Sequence, residues 1–207
     1  MALYFNILPQ IQLNLFEELK QQFFISEFYL AGGTCLAFHL GHRESLDFDF
    51  FTQTDFDTSK VIGFLREMGD YERENEEKNT INGRLNGVRI SFFGYPYQVI
   101  EDFIIDGHSK LAGLRDISAM KLEAIAGRGS KKDFVDLYFL LKHFTLKEMI
   151  KFHSEKYGSG LNNQYHLLKS VVYFSDAEDE AMPLMKQPAE WKQIKKEIIN
   201  RTKEFHI

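Results

Sequence analysis

The chain has 207 residues, 44% hydrophobic and 27% charged, with a formal net charge of −5. That is an ordinary globular composition with enough chain to bury a core. The acid excess gives no support for a broadly basic nucleic-acid surface, although a local basic groove stays open.

No apolar run reaches the ~20 residues of a membrane span, so no membrane partner is expected. The single cysteine, Cys35, can form no internal disulfide and reads as a packed small residue in a reducing cytoplasm. The N-terminal MALYFNILPQ has no basic n-region, so no secretory signal is expected.

In chain order, residues 10–25 place Ile11, Leu15, Leu19 and Phe23 at helical spacing, which predicts an amphipathic helix. Phe28 to Ala31 is short and apolar, and Gly32-Gly33 ends it. Thr34 is the expected N-cap of a helix CLAFHL that Gly41 closes. A second strand follows from Leu46 to Phe51. Asp57 or Thr58 caps a helix to Met68 whose apolar set is Val61, Ile62, Phe64 and Leu65. Tyr71 to Asn79 reads as an exposed arm. Asn82-Gly83 and Asn86-Gly87 read as turns, and Val88 to Phe93 as a strand. The first ~105 residues thus give α-β-α-β-α-β-β, a mixed α/β sheet.

After Gly107 the pattern is helical to the end. Asp116 or Ser118 caps a helix with Met120, Leu122, Ile125 and Ala126; Arg128-Gly129-Ser130 breaks it. Helices follow over 131–143 (buried stripe Phe134, Leu137, Tyr138 and Leu141), 146–157, 164–174 and 189–205, with the acidic connector DAEDEAMP before the last. The expected organisation is a sheet lobe over 1–107 and an all-helical lobe over 108–207.

Two features of 28–51 carry chemistry. A Gly-Gly-Thr turn entering a helix N-terminus offers backbone N–H groups to an anion, although a Gly turn is also ordinary punctuation. Asp47 and Asp49 fall on one face of a strand, with Phe48 and Phe50 on the other. Two such carboxylates are either an acidic solvent face or the ligands of a hard cation such as Mg²⁺. Downstream, Lys121 and Arg128 share one helix face, suited to gripping phosphate. Asp133 and Asp136 share another, and solvated charge pairs explain both helices equally well. Seven histidines without a Cys/His cluster give no zinc site, and no P-loop occurs. His42 and Arg43 are read as phosphate contacts or loop residues. The basic face of Lys192, Lys195, Lys196, Arg201 and Lys203 is read as solvated surface or an RNA contact.

AGGTCLAFHLGHRESLDFDFF, followed by MKLEAIAGRGSKKDFVDLYFLL, resembles the AbiEii/AbiGii toxin family of the DNA polymerase β-like nucleotidyltransferase superfamily. The first segment matches Gly-Gly, a gap of about a dozen residues, then Asp-x-Asp between hydrophobic residues. In the second, Lys121, Ala124 and Arg128 match a KLxAxxxR element. Lys132, Asp133, Asp136, Leu137 and Tyr138 match a KDxxDLY element.

The resemblance implies a bacterial, Mg²⁺- (or Mn²⁺-) dependent nucleotidyltransferase of a toxin–antitoxin or abortive-infection system. It would transfer NMP from an NTP to an acceptor, tRNA or another RNA being the leading candidate, and would have a cognate antitoxin as partner. It implies that Asp47 and Asp49 hold the metal and that Gly32, Gly33 and Thr34 hold phosphates with Arg43, Lys121 and Arg128. Asp133 becomes the base or third ligand, with Asp136 as a further candidate, and the helical lobe closes a cleft. Ser91 stands where the superfamily often has a third carboxylate. That keeps a non-catalytic NTP- or partner-binding protein of the same fold as an alternative; a small-molecule (antibiotic or metabolite) nucleotidyltransferase is another.

Overall fold

The computed structural model describes residues 3–158 and 164–203. Its contacts divide into two compact units. The first holds the chain up to His39 with Glu44–Tyr97 and Asp102–Gly113; the second holds Leu40–Arg43, Gln98–Glu101 and the chain from Leu114 onward.

The first unit is built on a seven-stranded mixed sheet. Its strands are β1 (Tyr29–Ala31), β2 (Phe48–Thr52), β3 (Tyr71–Glu77), β4 (Thr80–Leu85), β5 (Val88–Gly94), β6 (Ile104–Asp106) and β7 (Ser109–Leu111), in the order β3-β4-β5-β2-β1-β7-β6. The β2–β5 and β1–β7 pairs are parallel and the rest antiparallel. Helices α1 (Gln10–Leu19), α2 (Gly32–Leu40) and α3 (Thr58–Met68) complete it. Strand alternation divides β2 between two faces: Phe48 and Phe50 are fully buried, while Asp49 and Phe51 are half-buried. The buried face is aromatic. Phe16 packs on Phe38 and Phe48, and Phe50 stacks on Phe92 with centroids 5.2 Å apart. Aromatic packing of this kind adds about 0.5–1.5 kcal/mol per pair beyond the area buried.

Several expectations are corrected. The first helix stops at Leu19, and Phe23–Glu27 is a separate 3₁₀ turn. Its inward face is Gln12, Leu15, Phe16 and Leu19, while Ile11 and Phe23 are exposed, so the apolar stripe is rotated from the expected one. Asn82-Gly83 is not a turn but lies inside β4. Glycine is required there by close approach, since a Cβ at Gly83 would sit 2.5 Å from the Glu72 carbonyl oxygen. The preceding turn is made instead at Asn79 (φ 57), while Asn86-Gly87 turns as expected. Ser109–Leu111 is a strand rather than the start of the helical run, and β6 and β7 form a hairpin turned at Gly107 (φ +59). These strands are only three residues long, too short for an alternation signal.

The second unit contains α4 (Leu114–Gly127), α5 (Lys131–Leu140), α6 (Leu146–Tyr157), α7 (Gln164–Ser170) and α8 (Trp191–Lys203). The expected end of the last helix at Phe205 lies outside the described residues. Asp116 and Ser118 lie within α4 and are buried, so neither caps it. A Thr145–Glu148 capping box does start α6. Helix α5 is buried on nearly every side, including Lys131, Asp133 and Asp136, where one apolar stripe was expected. No helix among the described residues is long and apolar enough to cross a membrane.

Two glycines test this packing. Gly83→Ala should cost about 1–3 kcal/mol, because the neighbouring backbone must move. Gly63→Ala, in α3 with nothing within 4 Å of the added carbon, should stabilise by about 0.5–1 kcal/mol. Urea denaturation of both variants reads the two signs.

Candidate active site

Helix α2 starts directly after β1, at Gly32 (φ +69). A side chain is excluded there twice over. The dihedral is left-handed, and a Cβ would come within 3.0 Å of Asp49 Oδ2. The Asp49 carboxylate therefore lies against the Gly-Gly turn at the N-terminus of a nine-residue helix, where backbone N–H groups and the helix dipole favour an anion.

Thr34 is not the helix cap expected from the sequence, because the helix already includes it. It is buried, lies 2.8 Å from Ser45 Oγ and donates a hydrogen bond to the Asp47 carbonyl. The turn and the Asp-x-Asp segment are thus stapled together through Thr34 as well as through the Ala31–Asp49 register of β1 and β2. Asp47 precedes β2 rather than lying within it; both carboxylates are half-exposed. Ser91 is buried and sits beside Asp49 in the β2–β5 register.

The residue types fit a Mg²⁺-class cation held in part by substrate. Among the described residues no group of three or more His, Cys, Asp or Glu side chains forms a metal cluster. Mg²⁺ needs no such cage, since it is commonly held by one or two carboxylates plus water and substrate phosphate oxygens. The absence of a side chain at Gly32 is what lets the Asp49 carboxylate lie against the turn.

The other expected site residues form a buried ionic network in the second unit. Asp136 is wholly buried. It accepts from Arg43 Nε (2.6 Å) and Nη2 (2.8 Å), from His42 Nε2 (2.8 Å) and from Lys121 Nζ (2.7 Å). Asp133, also wholly buried, accepts from Lys121 Nζ (3.0 Å), Arg128 Nε (3.0 Å) and Ser130 Oγ (2.6 Å).

Burial opposes ionisation of Asp136, but the Arg43 and Lys121 charges and the Arg43 and His42 hydrogen bonds outweigh it. They hold the carboxyl well below the usual carboxylate range. The same balance, led by burial and overcome by Lys121 and Arg128, depresses Asp133. His42 is pushed down by burial despite Asp136, so it is neutral with its proton on Nε2, facing a group that only accepts.

This geometry corrects three sequence expectations. Arg43 is buried and spends its guanidinium on Asp136, so it does not present to phosphate. Lys121 is buried between two carboxylates that neutralise it. Asp133 is buried, held below the usual carboxylate range by Lys121 and Arg128, and accepts from three donors, which disfavours it as a general base. Arg128, with a side chain 62% exposed, keeps an outward surface while bracing Asp133.

A second buried pair escaped the sequence reading. Lys156 Nζ lies 2.7 Å from Asp116, and Asp116 also accepts from the Ile100 and Glu101 backbone N–H groups. The only sequence cue was a pair of charges inside otherwise apolar helical faces.

The family signature described as "Nucleotidyl transferase AbiEii toxin, Type IV TA system" matches residues 14–107. The uncharacterized protein aq_aa25 of Aquifex aeolicus (strain VF5) is 38% identical over 187 residues, covering 87% of this chain and 88% of its own. A crystal structure of a protein from H. pylori provisionally described as a nucleotidyltransferase superposes with a TM-score of 0.58 at 17% identity, over 96% of each chain. JHP933 from Helicobacter pylori does so at 0.58 and 18%, over 96% of this chain and 93% of that one. At such identities the likeness is one of fold.

The buried network predicts two acid transitions. A buried His kept neutral loses stability once the unfolded chain protonates, below about pH 6.5; depressed carboxylates lose theirs as pH falls below about 4. The melting temperature should therefore fall in two steps on acidification, and His42→Gln should remove the upper one. Asp136→Asn should destabilise by about 3–5 kcal/mol at neutral pH, since it leaves buried cations uncompensated. Melting curves at several pH values check both.

Proposed function

Because the chain belongs to the AbiEii nucleotidyl transferase toxin family, we propose that it transfers a nucleotide from an NTP to an acceptor at the Gly32–Asp49 site, with RNA, tRNA first, as the acceptor. The observation that carries this is the contact of the Asp49 carboxylate with a glycine turn that opens a helix. It sets an anion-binding backbone beside a pair of hard oxygen ligands.

In this reading Gly32, Gly33 and the first N–H groups of α2 bind the triphosphate tail. Asp47 and Asp49 hold Mg²⁺, or Mn²⁺, which when bound neutralises charge developing on the phosphoryl oxygens. Thr34 keeps Asp47 in place through its carbonyl. The ionic network of Asp136 and Asp133 positions rather than reacts. It holds His42 and Arg43, in the connection between α2 and Asp47. A family of toxins with paired antitoxins makes a cognate antitoxin the expected partner.

One observation favours a second reading. Ser91 stands beside Asp49, and Asp133 is consumed by cations, so the chain supplies two carboxylates where turnover in related folds often uses three. A protein that binds NTP without transferring it accounts for that.

Labelled NTPs incubated with total tRNA, with and without Mg²⁺, separate the two readings. Label in RNA is the expected result; Mg²⁺-dependent binding without transfer supports the second reading. Asp47→Asn and Asp49→Asn should each lower transfer at least a hundredfold, about 2.7 kcal/mol, while leaving the melting temperature within a few degrees. Undiminished Mg²⁺-dependent binding and transfer in the double variant would falsify the site. Gly32→Ala should lower transfer too, because its Cβ meets the Asp49 carboxylate.

A further inference from the structure

The sheet face that carries Asp49 continues into a row of rings. In the β1–β2–β5 register, Asp49 lies between Ala31 and Ser91, and two residues along each strand Phe51 lies between Tyr29 and Phe93. Residues i and i+2 share a face, so Phe51 is on the side of Asp49 and about 7 Å farther from the glycine turn. The rings are in contact: Tyr29–Phe51 at 5.8 Å, Phe51–Phe93 at 5.3 Å and Phe51–Tyr95 at 5.2 Å between centroids. Phe51, Phe93 and Tyr95 are only half-buried, whereas Phe48, Phe50 and Phe92 on the opposite face are fully buried. Small residues flank the carboxylate and large flat ones lie just beyond it.

From this arrangement we propose that Phe51, Phe93 and Tyr95 form the stacking platform for the base of the NTP whose phosphates the Gly32–Asp49 site holds. The inference rests on that reading of the site. A nucleotide carries a charged end and a flat aromatic end. Matching surfaces lie in that order along one sheet face, with an anion turn and carboxylates at one end and rings at the other. Stacking on side-chain rings is tolerant of base identity, because every base has a π-face. The platform therefore supplies affinity for nucleotides as a class and adaptable selection among them. Phe51 reaches both Tyr29 and Tyr95, so it braces the row, and Tyr95, beyond the end of β5, is the ring that can be altered with least disturbance to the strands.

The test is equilibrium binding of ATP, GTP, CTP, UTP and inorganic tripolyphosphate to the full chain in Mg²⁺. The wild type should bind at least one NTP about tenfold or more tightly than tripolyphosphate. Tyr95→Ala and Phe93→Leu should weaken that NTP about tenfold and leave tripolyphosphate unchanged, while Tyr95→Phe, which keeps the ring, should bind as the wild type does. Phe93→Leu keeps most of the volume, and Tyr95→Ala lies outside the strand, so melting curves can confirm that both fold.

The platform is overturned if NTPs and tripolyphosphate bind alike, or if the variants weaken both equally. It is overturned equally if the variants alter only self-association in sedimentation, which would make the rings a contact between copies. Weakened binding of an RNA 3′ end with unchanged NTP binding assigns the rings to the acceptor and also overturns the proposal. Failure of the underlying site looks different: Asp47→Asn plus Asp49→Asn would then leave both NTP and tripolyphosphate binding intact.

Discussion

Asp136 is a carboxylate with no exposure, and it is kept ionised by a lysine, an arginine and a histidine from two distant stretches of chain. An isolated buried charge would cost several kcal/mol or more, so the segment carrying Arg43 and His42 must stay with the segment carrying Lys121 for Asp136 to remain charged. The backbone N–H groups of Lys186 and Gln187 add bonds to the His42 carbonyl, and the Gln187 side chain to that of Leu40. Residues 40–43, at the end of the glycine helix and the start of the polar connection that follows it, are therefore fixed by electrostatics as well as by an isolated bridge between Arg43 and Met185.

The same device recurs at Asp116. It binds Lys156 and receives the Ile100 and Glu101 N–H groups, and Lys156 also donates to the Gln98 carbonyl. Residues 40–43 and 98–101 are the two short excursions of the early chain that belong to the helical unit, and each is anchored by a buried carboxylate. The motif residues of α4 and α5 thus have an architectural reading that their spacing conceals. Lysine and aspartate at helical intervals look like a phosphate grip and its base, yet here they neutralise each other.

On the sheet, the work is divided between faces. One face of β2 and β5 is aromatic and fully buried, which makes the sheet rigid; the other carries Asp49, Ser91 and the half-buried rings. Rigidity matters because the Asp49 carboxylate lies within 3.0 Å of where a Cβ on Gly32 would sit, a fit with little tolerance for movement. A shift of the β1–β2 register by one residue would turn Asp49 into the core and Phe50 into the site. Phe48, Phe50 and Phe92 guard that register through the energy of burying them.

Local chemistry was legible in the sequence wherever a residue acts on its near neighbours. The glycine turn, the parity that opposes Asp49 to Phe48 and Phe50, the Asp57 cap, the Asn86-Gly87 turn and the break at Gly129 all follow from dihedral preference and strand or helix period. So does the mixed α/β character, and the family resemblance lies in the same stretches. What the period could not convey was partnership across long separations. Thr34 looked like a cap and is a staple to Asp47; Asn82-Gly83 looked like a turn and is a close approach to β3. Ile11 and Phe23 looked buried and are exposed. Lys121, Arg43 and Asp133 looked available for substrate and are spent on buried ion pairs. Sequence by itself determined which residues could bind a phosphate and a hard cation, because that depends on their chemistry. Only the tertiary structure decided which of them are spent on buried ion pairs, because that depends on what each side chain meets when distant segments are buried together.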